Sequence, residues 1–349
     1  MQNDRVGCFA AAQAGAPLAA THVTLPALGP HDVELAVTAC ALCHSDVHLL
    51  DGDWSSGQFP LVPGHEIVGR VVGVGGAVPQ GDAHAHLTLG ARAGVGWQCG
   101  ACFACEACER GREHQCPHGK VRTCVGRPGG LAERVRVDHR FAFALPHVLD
   151  DAHAAPLLCA GLTVFSALER HVHNTRGSTR PRVAVVGLGG LGHLAVQFAR
   201  ALGAEVHAFD PDADKRSDAL ALGATEFSAP ASPASLPSDE FDVVLSTTSA
   251  PLPWNDWLRA TRLGGTLCLV GVPPAALTID PDHLLDGEKI VTGSVVGSRA
   301  SMDRMLAFAA QHDVAPRVET LPMRDVNEGL ARLREGRARY RVSLLASTT

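Results

Sequence analysis

The sequence predicts an α/β protein in three stretches. A mostly β region covers residues 1–150, an α/β region covers 151–295, and a short C-terminal tail covers 296–349. Three observations carry this. The texture changes near residue 150, from Val- and Gly-rich alternating runs to apolar runs separated by helical patterns. Residues 181–210, "PRVAVVGLGGLGHLAVQFARALGAEVHAFD", read as an apolar run, a glycine loop, a helix and a second apolar run, which is one βαβ unit. Residues 99–116 hold five cysteines in a stretch with little periodicity, which reads as a lobe of loop.

The elements follow in order. Residues 31–40, "HDVELAVTAC", alternate and form a strand. Residues 62–79, "VPGHEIVGRVVGVGGAVP", read as strands with tight turns, and 132–145 as strand again. The helix of the βαβ unit ends at Gly203, where glycine takes a left-handed cap. "ALGA" at 201–204 and again at 221–224 marks two successive helix-to-strand turns. Residues 241–248, 264–272 and 289–297 are buried-strand candidates; 301–312 and 326–336 are helices; 228–240, "SAPASPASLPSDE", is a surface loop.

The bulk numbers exclude several classes. A chain of 349 residues holds two domains or one large one. At 46% hydrophobic and 19% charged it has the composition of a globular enzyme. Its net charge of −6 lacks the basic surplus of a nucleic-acid binder. The N-terminus has no basic region followed by an apolar run, as a signal peptide would. The run 152–168 is short for a membrane span and contains Pro156 and Gly161. The expectation is a cytoplasmic protein with no nucleic-acid or membrane partner. Eleven cysteines, an odd and clustered set, point away from a secreted disulfide framework and toward thiols used as ligands.

"GLGGLG" (187–192) meets the G-x-G-x-x-G pattern with Gly187, Gly189 and Gly192. The first glycine permits a tight turn, the second lets backbone approach a pyrophosphate, and the third lets helix and strand pack closely. The loop follows a strand, opens a helix, and is succeeded by Asp210 at the end of the next strand, which is the context of a Rossmann dinucleotide site. Gly190 and Leu191 in the same loop, Lys215, and Val270 near the end of 264–272 are taken as further cofactor contacts. A carboxylate at Asp210 can accept the adenosine ribose hydroxyls of NAD and would face the 2′-phosphate of NADP, so NAD(H) is the expected preference. Lys215 and Arg216 can offset part of that.

Two thiol patterns read as zinc sites. Cys102, Cys105, Cys108 and Cys116 form C-x2-C-x2-C-x7-C, short spacings closed by a longer return, the pattern of a structural tetrahedral site. Spacing leaves Cys99 open as a ligand too, since Cys99-x2-Cys102 also fits. Cys43, His65 and Cys159 would make a Cys2His site with an open fourth position, the composition of a catalytic zinc. Each of the three alone has a bland reading, a buried thiol or a surface imidazole.

The combination resembles the zinc-dependent medium-chain alcohol dehydrogenases, and within them the cinnamyl-alcohol-dehydrogenase and bacterial aldehyde-reductase branch. The resemblance rests on "CHSDVH", "PLVPGHEIVGRVV", "CFACEACERGREHQC", "GGLAERVRVDHRFAF", "APLLCAGLTVFSAL", "VVGLGGLGHLAVQFARALGAEV" and "ARYRVSL", in order along essentially the whole chain. It implies a GroES-like mostly β catalytic domain, a Rossmann coenzyme domain with a doubly wound parallel sheet, a C-terminal segment that returns to the catalytic domain, and a homodimer formed through coenzyme-domain edge strands around 289–297. It implies that Cys43, His65 and Cys159 bind the catalytic zinc, with Glu66 beside it, and that Cys102, Cys105, Cys108 and Cys116 bind the structural zinc, leaving Cys99 as the odd thiol. Ser45 and His48 fall on the proton relay, Asp46 on the carboxylate that orients the zinc-bound histidine, His44 and Arg341 on pyrophosphate contacts, Thr163 on a nicotinamide contact, and Trp54 on a substrate-pocket wall. The implied reaction is hydride transfer between a primary alcohol, aromatic or medium-chain aliphatic, and a nicotinamide cofactor, reversible to aldehyde reduction.

Other readings compete. A polyol dehydrogenase is the nearest; that branch commonly lacks the four-cysteine cluster and often carries Glu where Cys159 stands. A dinucleotide-binding redox sensor would not need Ser45, His48, His65 and Glu66 together. A nucleic-acid-binding zinc ribbon would need basic and aromatic neighbours. "HAH" (84–86) and "HVH" (171–173) read as surface histidines, and Cys8, Cys40, Cys124 and Cys268 as buried thiols without partners. "RLREGRARYR" (332–341) reads as a solvated helix face plus one cofactor contact.

Overall fold

The computed structural model describes residues 4–54, 57–173, 180–229 and 236–346. Of the loop expected at 228–240, residues 230–235 lie outside the described residues. The chain divides into two units: Met1–Cys159 with Ser298–Ala310 and Ala315–Thr349, and Ala160–Gly297 with Gln311–Val314. The first break falls after Cys159 rather than near 150, because helix Asp151–Pro156 packs on strands Asp32–Leu42, Glu66–Val74 and Arg341–Leu345 of the first unit.

The first unit is built on a seven-stranded sheet. Its path runs Val318–Pro322, Arg341–Leu345, Asp32–Leu42, Glu66–Val74, Arg92–Val95 and Phe143–Ala144, and Arg134–Asp138 also pairs with Asp32–Leu42. Strand Asp32–Leu42 is antiparallel to both Glu66–Val74 and Arg341–Leu345, which sets Ala41 opposite Glu66 and Leu42 opposite Val342. Three distant parts of the chain therefore meet at one end of the sheet. Cys43 follows the first strand, His65 leads into the second, and Arg341 opens the third. The stretch 62–79 makes one strand, Glu66–Val74, rather than several. Pro63 has no N–H for a ladder, and Gly64 sits at φ 101°, so the approach to the strand is a turn.

The second unit holds six parallel strands in the order Glu226–Ser228, Glu205–Phe209, Arg182–Val186, Phe241–Ser246, Thr261–Leu269, Ile290–Gly293. In chain order this is 3-2-1-4-5-6, the doubly wound arrangement, with its switch point between Arg182–Val186 and Phe241–Ser246. Apolar runs such as "VAVV" and "FDVVLS" are buried on both faces, as parallel strands covered by helices must be. Phe209, Phe241, Trp257, Leu258 and Leu267 fill the core on one face, with Phe209 edge-on to Trp257 at 5.0 Å.

The helical stretch Asp151–Val172 runs longer than the apolar run read from sequence. At 22 residues it is long and apolar enough to cross a membrane, yet 89% of its apolar window is buried inside the fold, as in a core helix. Its middle, Leu157–Gly161, is a π-helical turn directly after Pro156. Proline removes an N–H from the helix, and single π turns of this kind cluster at functional sites. This one carries Cys159.

Candidate active site

Cys43 is the N-cap of helix His44–Asp51, and its backbone N–H donates to Asp46 Oδ2 at 3.1 Å. The other oxygen of Asp46 accepts the Gly64 N–H at 2.9 Å and faces His65 Nδ1 at 3.0 Å. Asp46 and His65 are both fully buried. One carboxylate thus ties the cap, the turn and the imidazole together, and with the proton on Nδ1 the lone pair is left on Nε2. That Nε2 is buried and has no hydrogen-bond partner among the described residues.

Ligand atoms of Cys43, His65, Glu66 and Cys159 lie within 4.8 Å of one another. The hydrogen bond from Cys159 holds the Cys43 thiol well below the ordinary range against the cost of burial, with His65 and Arg341 acting the same way. Burial pushes the Glu66 carboxyl up to about 8, although Arg341 pulls it down. Arg341 Nη2 donates to Glu66 Oε2 and, at 2.9 Å, to the Leu42 carbonyl. Glu66 Oε1 has no partner among the described residues. Two thiols, an imidazole nitrogen and a carboxylate oxygen converge, all buried except the half-buried Cys43, and fit the soft and borderline donors that zinc takes.

Cys102, Cys105, Cys108 and Cys116 form a second set within 4.8 Å. Their sulfurs lie 3.9 Å apart for Cys102–Cys108, 3.9 Å for Cys105–Cys116 and 3.4 Å for Cys102–Cys116. A tetrahedron of Zn–S bonds has edges of about 3.8 Å, so the donors match the ion. The backbone N–H of Cys102 leads several donors that pull the Cys116 thiol down to about 6. Cys99 stands apart: buried, its Sγ accepts from Arg127 Nη1 at 3.3 Å.

Ser45 lies on the first turn of helix His44–Asp51, three residues before His48, with His44 exposed beside it. His48 Nδ1 is 2.8 Å from Asp53 Oδ2, and its ring stacks on Trp54 at 5.1 Å. Asp53 was not singled out from the sequence; its place five residues after His48, just past a helix end at Gly52, is the only signal there. Trp97 was also missed. Its ring stands edge-on to His65 at 4.7 Å and to Trp54 at 6.1 Å. Cys124 departs from the expectation of a thiol without partners: fully buried at φ 62°, it offers its sulfur within 4.8 Å of donor atoms of Asp46 and His65. No spacing rule links it to either.

In the second unit, Gly187 turns at φ 93°, and a Cβ on Gly192 would strike the Gly187 carbonyl oxygen, so the loop and the helix start approach as a glycine-only contact. Gly189, by contrast, has open space beside it, as a backbone cradle requires. Gly190 and Leu191 complete the turn into helix Gly192–Ala201. Asp210 is 6% exposed, and its carboxylate is heavily engaged. Oδ2 accepts the Leu188 N–H at 2.7 Å, Oδ1 accepts the Asp212 N–H at 3.0 Å, and Lys215 Nζ lies 3.1 and 3.0 Å from the two oxygens. Thr163 is buried on helix Leu162–Val172, and the Val270 N–H donates to the Ser246 carbonyl at 3.0 Å.

Two family models match the chain: the alcohol dehydrogenase GroES-like domain over residues 29–147 and the zinc-binding dehydrogenase over 190–311. The aldehyde reductase of Synechocystis sp. is 38% identical over 343 residues, 97% of this chain and 98% of that protein. The NADP-dependent alcohol dehydrogenase C 1 of Mycolicibacterium smegmatis is 37% identical over 346 residues, 96% of each. The solved structure of a cinnamyl alcohol dehydrogenase from Sorghum bicolor superposes with a TM-score of 0.90 at 33% identity, covering 97% of both chains.

This chain belongs to the zinc-dependent alcohol dehydrogenase family. As an alcohol dehydrogenase it interconverts alcohols and aldehydes, with zinc and NAD or NADP as the cofactors of its family. The GroES-like and Rossmann-type parts of the dehydrogenase correspond to its seven-stranded and six-stranded sheets. The polyol-dehydrogenase alternative is not favoured by these relatives.

Proposed function

We propose that this dehydrogenase acts on primary alcohols and their aldehydes, aromatic or medium-chain aliphatic, at a zinc held by Cys43, His65 and Cys159. A second zinc, held by Cys102, Cys105, Cys108 and Cys116, is structural. The observation that carries the reading is the buried His65 Nε2, without a hydrogen-bond partner among the described residues, on a ring locked by Asp46 and set beside two thiols. A buried ring nitrogen without a partner is costly, and a bound cation removes that cost.

When bound, zinc supplies Lewis acidity toward the substrate oxygen and the nicotinamide supplies or accepts the hydride. The chain's own residues position and move the proton. Cys43 and Cys159 contribute thiol donors, Asp46 keeps the His65 ring in register, and Glu66, steadied by Arg341, is a fourth donor in reserve. During oxidation Ser45 takes the hydroxyl proton and His48 delivers it to solvent. His48 suits the outer end: its side chain is 27% exposed, and Asp53, accepting from Nδ1, fixes the ring with its own proton there and leaves the Nε2 lone pair to take up and release the relayed proton.

The same reading assigns the dinucleotide to Gly187, Gly189, Gly190, Leu191 and Gly192, with Asp210 and Lys215 at the adenosine ribose and His44, Thr163, Val270 and Arg341 as further contacts. NAD(H) is preferred over NADP(H), because the Asp210 carboxylate disfavours a 2′-phosphate; its pairing with Lys215 makes that discrimination smaller than an unpaired charge would give. A homodimer forms along Ile290–Gly293, an edge strand that exposes Ile290 and is flanked by the exposed Leu285 and Val295. The setting is a reduced cytoplasm, in keeping with eleven free cysteines.

A spectrophotometric screen of aldehydes and alcohols with NADH and NADPH in parallel, run on wild type and Cys43→Ala, tests this. Reduction of benzaldehyde- or cinnamaldehyde-type compounds by wild type alone is expected. Good turnover of polyols with none of aromatic aldehydes overturns it.

A further inference from the structure

One late helix belongs to the first unit. The chain re-enters that unit at Ser298 and leaves it after Ala310, and all but the last residue of helix Arg299–Gln311 falls in that interval. The Ser298 hydroxyl accepts the Ser301 N–H at 3.1 Å and caps the helix start. Met302, Met305, Leu306 and Ala309 form its buried stripe. Its first residue, Arg299, reaches the cysteine lobe. Arg299 Nη2 and Nε donate to Glu113 Oε1 at 2.8 and 3.0 Å. Glu113 lies between Cys108 and Cys116 and is 3% exposed. The Arg299 guanidinium also stands 5.4 Å from the ring centre of Phe103, which carries Arg140 at 3.4 Å. Phe103 sits between Cys102 and Cys105 at φ 55°, a left-handed conformation that a bulky residue keeps only when its surroundings hold it. One turn along the helix, Met302 meets Gly96. A Cβ on Gly96 would stand 3.1 Å from Met302 Cε and would strike the Leu158 carbonyl oxygen. Leu158 is fully buried in the π turn and directly precedes Cys159.

We propose that Arg299 is a positioning residue for the thiol of Cys159: it ties the four-cysteine lobe to the start of helix Arg299–Gln311, and that helix, through Met302 and Gly96, sets the π turn that carries Cys159. This rests on the reading that Cys43, His65 and Cys159 hold one zinc and the lobe the other. The tie has an electrostatic cause. Four thiolates around a divalent ion leave a net negative charge, and Glu113 adds a buried carboxylate, so a cation at the helix start answers both. The guanidinium also lies against the Phe103 ring, which an ammonium would do less well. The transmission has a steric cause. Met302, Gly96 and Leu158 are packed without room for one methyl group, and a close-packed interior passes a displacement on rather than absorbing it. The loop-bound zinc and the thiol of the reaction centre are thereby coupled through one arginine.

The test is a zinc competition titration against a chromogenic chelator on the full chain, with circular dichroism to certify folding. The site that disappears in Cys43→Ala is the one at Cys159, and the site that survives is the lobe. Arg299→Leu should weaken the Cys43-dependent site about tenfold. Arg299→Lys, which keeps the charge, should recover part of that. The double variant Glu113→Gln/Arg299→Leu should be no weaker there than Arg299→Leu alone, because the two residues act as one tie. A spectroscopic readout separates positioning from general loss of stability. With cobalt(II) in the Cys43-dependent site, the thiolate charge-transfer band should shift in Arg299→Leu and return toward the wild-type position in Arg299→Lys; a protein that is merely less stable keeps the band. A folded Arg299→Leu protein with wild-type affinity and an unshifted band at that site overturns the coupling and leaves the metal reading intact. Losses that add in the double variant overturn it as well. Two undiminished sites in Cys43→Ala overturn the metal reading instead. Should Arg299→Leu fail to fold, Glu113→Gln, which keeps the size of the side chain, is judged by the same affinity and the same band.

Discussion

Asp46 Oδ1 stands 3.0 Å from His65 Nδ1, and both side chains are fully buried. The same oxygen takes the Gly64 N–H and its partner oxygen takes the Cys43 N–H, so Asp46 holds both flanks of the donor set. Asp46→Asn keeps the size but replaces the acceptor that fixes the ring tautomer. It should cost about 10- to 100-fold in zinc affinity or in kcat/KM, the usual range for such partners of a metal-bound histidine. Competition against a zinc chelator together with steady-state kinetics checks it; unchanged values in both would mean that the ring is held by other contacts.

Metal content separates the two thiol sets. About two zinc ions per chain are expected, one for each four-residue cluster. Cys43→Ala should lose one zinc and all activity while staying folded. Cys105→Ser should lose the other and lower thermal stability, because structural zinc binding is coupled to folding. Cys99→Ala should change neither count, since that sulfur is turned toward Arg127. Elemental analysis finding zinc loss in Cys99→Ala would contradict the assignment of the cluster.

The Asp53–His48 contact predicts a chemical rescue. His48→Ala should lower kcat with little change in substrate KM, and added imidazole should restore part of it by carrying the proton to solvent. Asp53→Ala should give a smaller loss, because it removes the 2.8 Å partner that aims the ring but leaves the ring itself. Wild-type kcat in His48→Ala would remove this histidine from the relay.

Reaction direction follows from stoichiometry. Alcohol oxidation releases one proton, so the alcohol–aldehyde equilibrium should shift toward aldehyde by about tenfold for each pH unit of rise. Progress curves at several pH values read the ratio directly. A pH-independent end point would mean that the reaction followed is not a dehydrogenation.

Asp210 predicts the cofactor. One unscreened charge pair at about 4 Å costs about 4 kcal/mol at an effective dielectric of 20, as an upper figure, and about 1.4 kcal/mol already means tenfold. The 3.0 Å contact with Lys215 reduces this. Wild type should favour NADH, and Asp210→Ser should shift the ratio toward NADPH. It should also weaken binding of both, because Asp210 Oδ2 holds the Leu188 N–H of the glycine loop. A higher wild-type kcat/KM with NADPH would reverse the assignment, in line with the NADP-dependent relative named above.

Local patterns were legible in the sequence. "GLGGLG" lies between a strand and a helix because each glycine meets a short-range demand, the tightest being the contact of Gly192 with the Gly187 carbonyl five residues earlier. The four cysteines 102–116 converge because their separations are shorter than the reach of a loop around one ion. The register of Asp32–Leu42 with its two neighbours is a different matter. It sets Ala41 opposite Glu66 and Leu42 opposite Val342, and so brings Cys43, His65, Glu66 and Arg341 to one end of a sheet; no spacing along the chain encodes that. From the residues alone, without the family resemblance, Cys43, His65 and Cys159 offer the composition of a Cys2His site, but each also has a bland reading and nothing in their spacing brings them together. Tertiary structure alone also decided the partners of buried polar groups. Arg341 reaches Glu66, Asp210 takes the Leu188 N–H, Cys124 comes to lie beside His65, and Trp97 turns its edge to the same ring. The physical reason is that burial forces each such group to find a partner, and the partner is whatever the packed sheets bring within reach rather than whatever lies nearby in sequence.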